Sequence, residues 1–527
     1  MSLLLVTAAC SGATVRPHRH HRTTTHVAST RTFLGPYGVE SAAVIAENKL
    51  PGTKAWKIFG TPPGLIEGFS NVTYAEVGEK VKLYVSTDAH SFRVEAYRMG
   101  WYGGDGGHLV WTSPAVRGTT QPTCPVISTT NTVICDTWKP SLTFTVGKRW
   151  LSGDYLLKLV GNGGQESYVL LTIADLKSTA SYLVVARTLT EEGWNTFGGY
   201  DFYQGEGACL PGTSSYPPCN RALVVSFDRP FSSGYGSSDF LSNEFPLIEL
   251  MEEHGLDVTY TTDVAIDEHP SSVLHHKAIL SLCHDETWTA PELFAVERAV
   301  SDGENLVFFG AAAIVRHARL QSSPMGADTE EVDYRDSALD PLDGKASPWE
   351  VTGNTWSDPP TDWSETNLVG ELYSGYTDPG AAPVPFVVWD PLPWLFKGTG
   401  LLKGSEIKGV IDSDIDHVAP SDPTPANLQV VGHSPVPLSI AYTNQGQWGD
   451  DTYSDMGYYT NPTSKAGVID TGTTNWICAL SICTGDKTTR AELAQITTNI
   501  LYLFGQGPAG TTEPSVENWR TITPSGS

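Results

Sequence analysis

The hydrophobic pattern changes character once, near residue 175, and that change limits the chain to two kinds of layer in succession. From about residue 64 to 173, short runs alternate apolar and polar residues, as in Lys80 to Ser86, Ser91 to Tyr97, Asp154 to Val160 and Tyr168 to Thr172, with Gly, Pro, Ser and Thr between them. Period-two alternation broken by turn residues predicts strands with one buried face, packed as an N-terminal antiparallel β-sandwich. Gly103-Gly104-Asp105-Gly106-Gly107 falls between two such strands and not before a helix, so it is a loop and not a phosphate cradle.

Beyond residue 175 the runs become continuously apolar and alternate with helical stripes. Tyr182 to Ala186 and Ala222 to Ser226 have the texture of strands buried on both faces. Phe245 to His254 carries a helical stripe that Gly255 ends, and Val258 to Thr261, Ala278 to Cys283 and Asn305 to Gly310 read as further strands, with a helix from Pro291 to Val300. Later strands are expected at Phe386 to Trp389, Gly409 to Ile411 and Gly467 to Thr471, and a helix from Arg490 to Phe504. This order predicts a doubly wound α/β layer with ligands at the carboxyl ends of its strands. The divisions expected are a remnant and tether at 1–32, a sandwich at 50–175, an α/β domain at 176–510 and a tail at 511–527.

Charge narrows the partners. Lys and Arg number 33 against 59 Asp and Glu, a net −26, which repels phosphate backbones and anionic membranes. No apolar run is long enough to span a bilayer. Cysteines narrow the compartment. Cys124 with Cys135, Cys209 with Cys219 and Cys478 with Cys483 form close pairs in turn-rich segments, the pattern of local disulfides in an oxidising, extracytoplasmic setting. Met1 to Cys10 has the apolar run and small residues of a lipoprotein signal remnant, with Cys10 as the lipidated residue, and the Thr-, His- and Arg-rich stretch after it reads as a tether.

Three constellations follow strand ends. Cys283-His284-Asp285-Glu286 sets three proton- or metal-handling groups in a row after a buried strand; in an extended chain His284 and Glu286 share a face while Asp285 supports from behind. Trp194 to Tyr203 encloses paired glycines among aromatics, a tight loop that holds rings in place. Asp412-Ser413-Asp414-Ile415-Asp416 has the spacing of a calcium loop, but His417 and Pro423 stand where an EF-hand needs Gly and Glu. No nucleophile elbow occurs, since Gly432 to Val436 lacks its last glycine, and adjacent Cys283 and His284 do not face each other as a thiol and its base must.

Several longer phrases are shared with a known family. Ile66 to Asn71, Phe92 to Gly104, Ser226 to Pro230, His284 to Glu286, Thr352 to Pro360, Trp394 to Gly400 and Gly507 to Gly510 together resemble the N,N-dimethylformamidase large (beta) subunit-like family, in its secreted actinobacterial-type members. The resemblance implies a class I glutamine amidotransferase-like α/β domain without that fold's cysteine, since Ala311-Ala312-Ala313 follows the strand where it would sit. It implies a mononuclear iron held by two tyrosines and a glutamate, with Tyr203 and Glu286 matching two of them, His284 transferring protons and Asp414 standing for a supporting glutamate. The second tyrosine has no counterpart between Thr190 and Asn195, where Glu191 or Glu192 is the carboxylate that would replace it, and Ala312 stands for a substrate-orienting asparagine. Such a metal would polarise an amide carbonyl and activate water.

The function expected is metal-dependent hydrolysis of a small, formamide-like amide, or that of a diverged relative. The alternative is a non-catalytic surface-binding protein, for example for polysaccharide, on the same scaffold. The partner expected is a small amide; nucleic acid is excluded, a membrane enters only through the lipid on Cys10, and a homo-oligomer stays open.

Overall fold

The computed structural model describes residues 31–210, 212–213, 219–443, 451–481 and 483–522. Cys10 and almost all of the expected tether lie outside them. The architecture is mixed α/β, with many sheets and few helices.

In the N-terminal part, Ile66–Ser70, Lys80–Thr87 and Leu142–Thr145 form one antiparallel sheet, and Ser91–Met99, Gly107–Thr112, Gly153–Gly161 and Glu166–Ile173 form the body of a second. Val81, Leu83 and Val85 of the first sheet and Val94, Leu157, Leu159 and Leu171 of the second fall in one buried core. Alternate residues along each strand supply it, as the period-two pattern requires.

The larger part is built on a seven-stranded sheet. Its strands are β1 (Tyr182–Ala186), β2 (Val258–Thr262), β3 (Ala278–Leu282), β4 (Asn305–Phe309), β7 (Gln429–Pro437), β8 (Asp451–Thr460) and β9 (Gly467–Asp470), in the order β2-β1-β3-β4-β9-β8-β7. The first five run parallel, β8 runs antiparallel to β9, and β7 in turn runs antiparallel to β8. Leu183, Ile279, Leu306 and Phe308 pack with Leu293, Val296 and Val300 of α3 (Ala290–Asp302). Val184, Leu280, Val307 and Phe309 pack on the other face, with Leu247 and Met251 of α2 (Phe245–Glu253) and Ile496 and Ile500 of α4 (Lys487–Phe504). Helices on both faces explain why these strands are apolar throughout. Two further strands, β5 (Leu372–Thr377) and β6 (Asp414–His417), pair antiparallel beside this sheet, so Asp414 and Asp416 of the Asp-x-Asp-x-Asp run lie on an edge strand.

Two expectations change. Ala222 to Ser226 contributes only Val224–Ser226, and these pair antiparallel with Gly326–Val332 in a separate sheet. The segment after 510 is not loose as far as it is described: Val430 N donates to Asn518 Oδ1 at 2.7 Å and Asn518 Nδ2 donates to Val430 O at 2.9 Å, so the tail caps the edge strand β7 and Trp519 is buried. All three expected disulfides are present, with sequence separations of 11, 10 and 5. No helix among the described residues is long and apolar enough to cross a membrane.

The two parts meet at a buried ion pair. Arg98 Nη2 lies 2.6 Å from Glu252 Oε1 and Nη1 lies 3.1 Å from Oε2, with side chains 1% and 0% exposed, and the Tyr260 hydroxyl donates to the same carboxylate at 2.9 Å. Removing one partner strands a buried charge. Glu252→Ala is therefore expected to lower unfolding stability by about 3–5 kcal/mol, read as a fall in urea midpoint, and Arg98→Met with Glu252→Leu to recover much of it.

Candidate active site

Three strand ends create the site. After β3 the chain reverses at Cys283 with φ of 53°, and a Cβ on Gly310, just past β4, would stand 1.4 Å from the Cys283 carbonyl oxygen. Only glycine lets these two ends pack so closely. The reversal projects His284, Asp285 and Glu286 before the short strand Thr287–Thr289, whose Thr287 pairs in parallel register with Arg316. That register brings the Arg316 side chain beside Glu286.

Glu286 gathers four donors. Its Oε2 accepts from the Tyr203 hydroxyl, from Trp194 Nε1 at 3.1 Å and from His284 Nε2 at 3.3 Å, and its Oε1 accepts from Arg316 Nε at 3.1 Å. Burial alone would raise its pKa, but the His284 hydrogen bond and the charges of Arg316 and His284 outweigh it and hold the carboxyl well below the usual carboxylate range. Burial would lower that of His284; the hydrogen bond it donates to Glu286 and the charges of Asp414 and Glu286 reverse this, and the imidazole is raised. Asp285 faces the other way, accepting from Ser281 Oγ at 2.8 Å, and burial pushes its carboxyl up to about 6.

Tyr203 is fixed from its backbone and both ring faces. Asp201 Oδ1 accepts from the amides of Tyr203 and Gln204, each at 2.7 Å, closing a turn after the paired glycines, whose φ values are 77° and 89°. The Trp194 ring stacks on the phenol with centroids 3.5 Å apart, and the Arg335 guanidinium lies 3.9 Å from the ring centroid. Two groups this close to one centroid occupy opposite faces.

These side chains line a cavity of about 820 Å³, together with Glu191, Asp239, Asp414, Thr474 and residues of β5. Asp414 accepts from Thr474 Oγ1 at 3.2 Å, and burial raises its carboxyl. Tyr373, for which the sequence offered no motif, brings a second phenol into the cavity, where burial and then the charge of Asp414 raise its pKa. Arg316 and Arg335 were likewise missed; each comes from a segment whose placement depends on distant pairing. His284, Glu286, Tyr203 and Asp414 thus share one cavity.

Glu191 does not join the Tyr203–Glu286 pair. On α1 (Thr188–Gly193) it lies 3.7 Å from Arg187 Nη2, within a group completed by Asp239 and Glu244, and burial followed by those two acids raises its carboxyl. Glu192 is bound to Arg229 Nε at 2.6 Å and to Asn195 at 3.0 Å. Ala312 is buried, and its amide donates to Asp416 at 2.9 and 3.0 Å. Cys283 is the one free cysteine among the described residues; burial pushes its thiol up to about 12, which suits a structural role and not a nucleophile.

The residues present do not fit the implied iron. The implied set is two tyrosines and a glutamate; here Tyr203 and Glu286 bond each other, Glu192 is bound to Arg229, and Glu191, 3.7 Å from Arg187, has its carboxyl raised by burial. Tyr373 lies in the same cavity, where burial and then the charges of Asp414 and Glu286 raise its pKa and disfavour the tyrosinate a ferric ion needs, and the Arg316 guanidinium already neutralises Glu286.

Compared with known families, residues 93–490 match the model described as N,N-dimethylformamidase beta subunit-like, C-terminal, which is well over half of the 527 residues. No curated protein matches the chain.

Two outcomes follow from this geometry. Purified protein is expected to carry iron far below one equivalent and to lack a visible tyrosinate band; a stoichiometric ion by elemental analysis would overturn the donor argument. Glu286→Gln removes the hydrogen bond and charge that hold His284 up, so the imidazole pKa should fall in an NMR titration, by on the order of one unit or more.

Proposed function

This chain belongs to the N,N-dimethylformamidase beta subunit-like family, and from that premise we propose that it hydrolyses an amide C–N bond in the cavity at the ends of β1, β3 and β6. The observation that carries the reading is the meeting of His284, Tyr203 and Arg316 on the single carboxylate of Glu286 at the carboxyl ends of a parallel sheet.

The residues divide the work as follows. Glu286 stays ionised and orients His284, whose free form accepts a proton from water. The water oxygen attacks the carbonyl carbon, and the charge that grows on the carbonyl oxygen is met by the Arg316 guanidinium. Asp414, whose carboxyl burial raises so that it keeps a proton longer, serves the departing nitrogen. Trp194 and Tyr203, stacked together, wall the site and limit bulk water.

The compartment we propose is extracytoplasmic: three local disulfides suit an oxidising setting, and Cys10, outside the described residues, is the residue that would carry a lipid.

The pH dependence has a definite sign. Activity needs neutral His284, so the rate should rise with pH through a value above the ordinary ~6.5 of histidine, and Glu286→Gln should move that limb to lower pH. His284→Ala should lower amine release from simple amides by about 10²-fold or more, measured as kcat/KM on dimethylformamide and related amides. Unchanged release by the variant would overturn the reading.

A further inference from the structure

The cavity of about 820 Å³ is near the top of the ~300–1,000 Å³ range of sites for drug-sized ligands. A formamide would leave most of it unfilled. Two aromatic surfaces bound it. Trp194 is 46% exposed while its ring backs on Tyr203. On β5, Tyr376 lines the cavity, and its register partner Tyr442, on Ala441–Thr443, stacks against it with centroids 5.1 Å apart; they are 41% and 54% exposed. Each such ring removes ~150–250 Å² from water when covered, so a stacked pair left open at the edge of a cavity is a platform for a ligand that has apolar faces.

What else lines the cavity is polar and hydroxyl-binding: Ser233, Ser238, Asn243, Asn354, Asp412 and Ser413. A ligand with flat apolar faces and many hydroxyls is a pyranose. Its charge is also constrained. Arg187 and Arg316 are already paired with Asp239 and Glu286, and the chain as a whole is −26, so a uronate or sulfated sugar meets repulsion.

We propose that the cavity takes a neutral oligosaccharide of N-acylated amino sugars, with one pyranose face on the Tyr376–Tyr442 platform and an N-acyl group reaching the His284–Glu286 pair. Binding stands on the cavity alone; that the acyl amide is the bond cut rests on the hydrolase reading above. In that step the water oxygen joins the acyl carbon, the C–N bond breaks, and the sugar nitrogen leaves with a proton, giving carboxylate and amine with no other reactant.

The test is calorimetric titration of the full chain with the tetramer of N-acetylglucosamine and, beside it, with cellotetraose, the same backbone without amides. The N-acetylated tetramer should bind at least about tenfold more tightly than cellotetraose, and Tyr376→Ala with Tyr442→Ala should weaken it by about tenfold or more. Both rings are exposed, so these variants should keep the wild-type unfolding midpoint. No binding, equal binding of the two sugars, or binding untouched by the double variant would overturn the inference. Acetate release, followed separately, reads the other claim: binding without release upholds the sugar site and sinks the hydrolase reading, while turnover of simple amides without sugar binding does the reverse.

Discussion

A buried carboxylate that stays ionised needs partners, and Glu286 draws them from four parts of the chain. Trp194 comes from the end of α1, Tyr203 from the glycine loop, His284 from its own strand end, and Arg316 from the strand that pairs with Thr287. Stranding this charge would be worth several kcal/mol, so each partner is under strong constraint to arrive. Order in the site is therefore a consequence of charge burial, and the same charge that organises the cavity also tunes the imidazole inside it.

Most of the neighbouring acids have arginines of their own. Arg187 collects Glu191, Asp239 and Glu244, and Arg229 collects Glu192, at the back of the same helix. Burial raises Glu191, Glu192 and Glu244, whereas Arg187 keeps Asp239 low against its own burial. The helix that follows β1 thus serves as a scaffold, held by its acids, from whose end Trp194 reaches the cavity.

Much of this was legible from residues alone, and the limits are physical. Tyr182 to Ala186 and Asn305 to Phe309 announce two buried faces through unbroken apolarity. His284 and Glu286 are visible because charges rarely follow such a strand. Tyr373, Arg316 and Arg335 carry no local signal: their approach is fixed by strand register and by pairing across irregular segments that periodicity does not encode. Glu191 shows the same limit, since a carboxylate one turn into a helix can serve a metal or an arginine, and only the position of Arg187 decides which. The tail illustrates it again, where one asparagine amide finds the two free backbone groups of an edge strand.

The three disulfides enclose only short stretches of chain, and none joins the N-terminal sheets to the seven-stranded sheet. Cross-links of this reach stiffen individual surface loops and leave the long-range arrangement to noncovalent forces. Resistance to shear between the two parts rests on the buried Arg98–Glu252 pair, on the Ser152 hydroxyl that accepts from the Tyr260 amide at 3.0 Å, and on Tyr97, Met99 and Leu156, which share one buried cluster with Val184 and Tyr260.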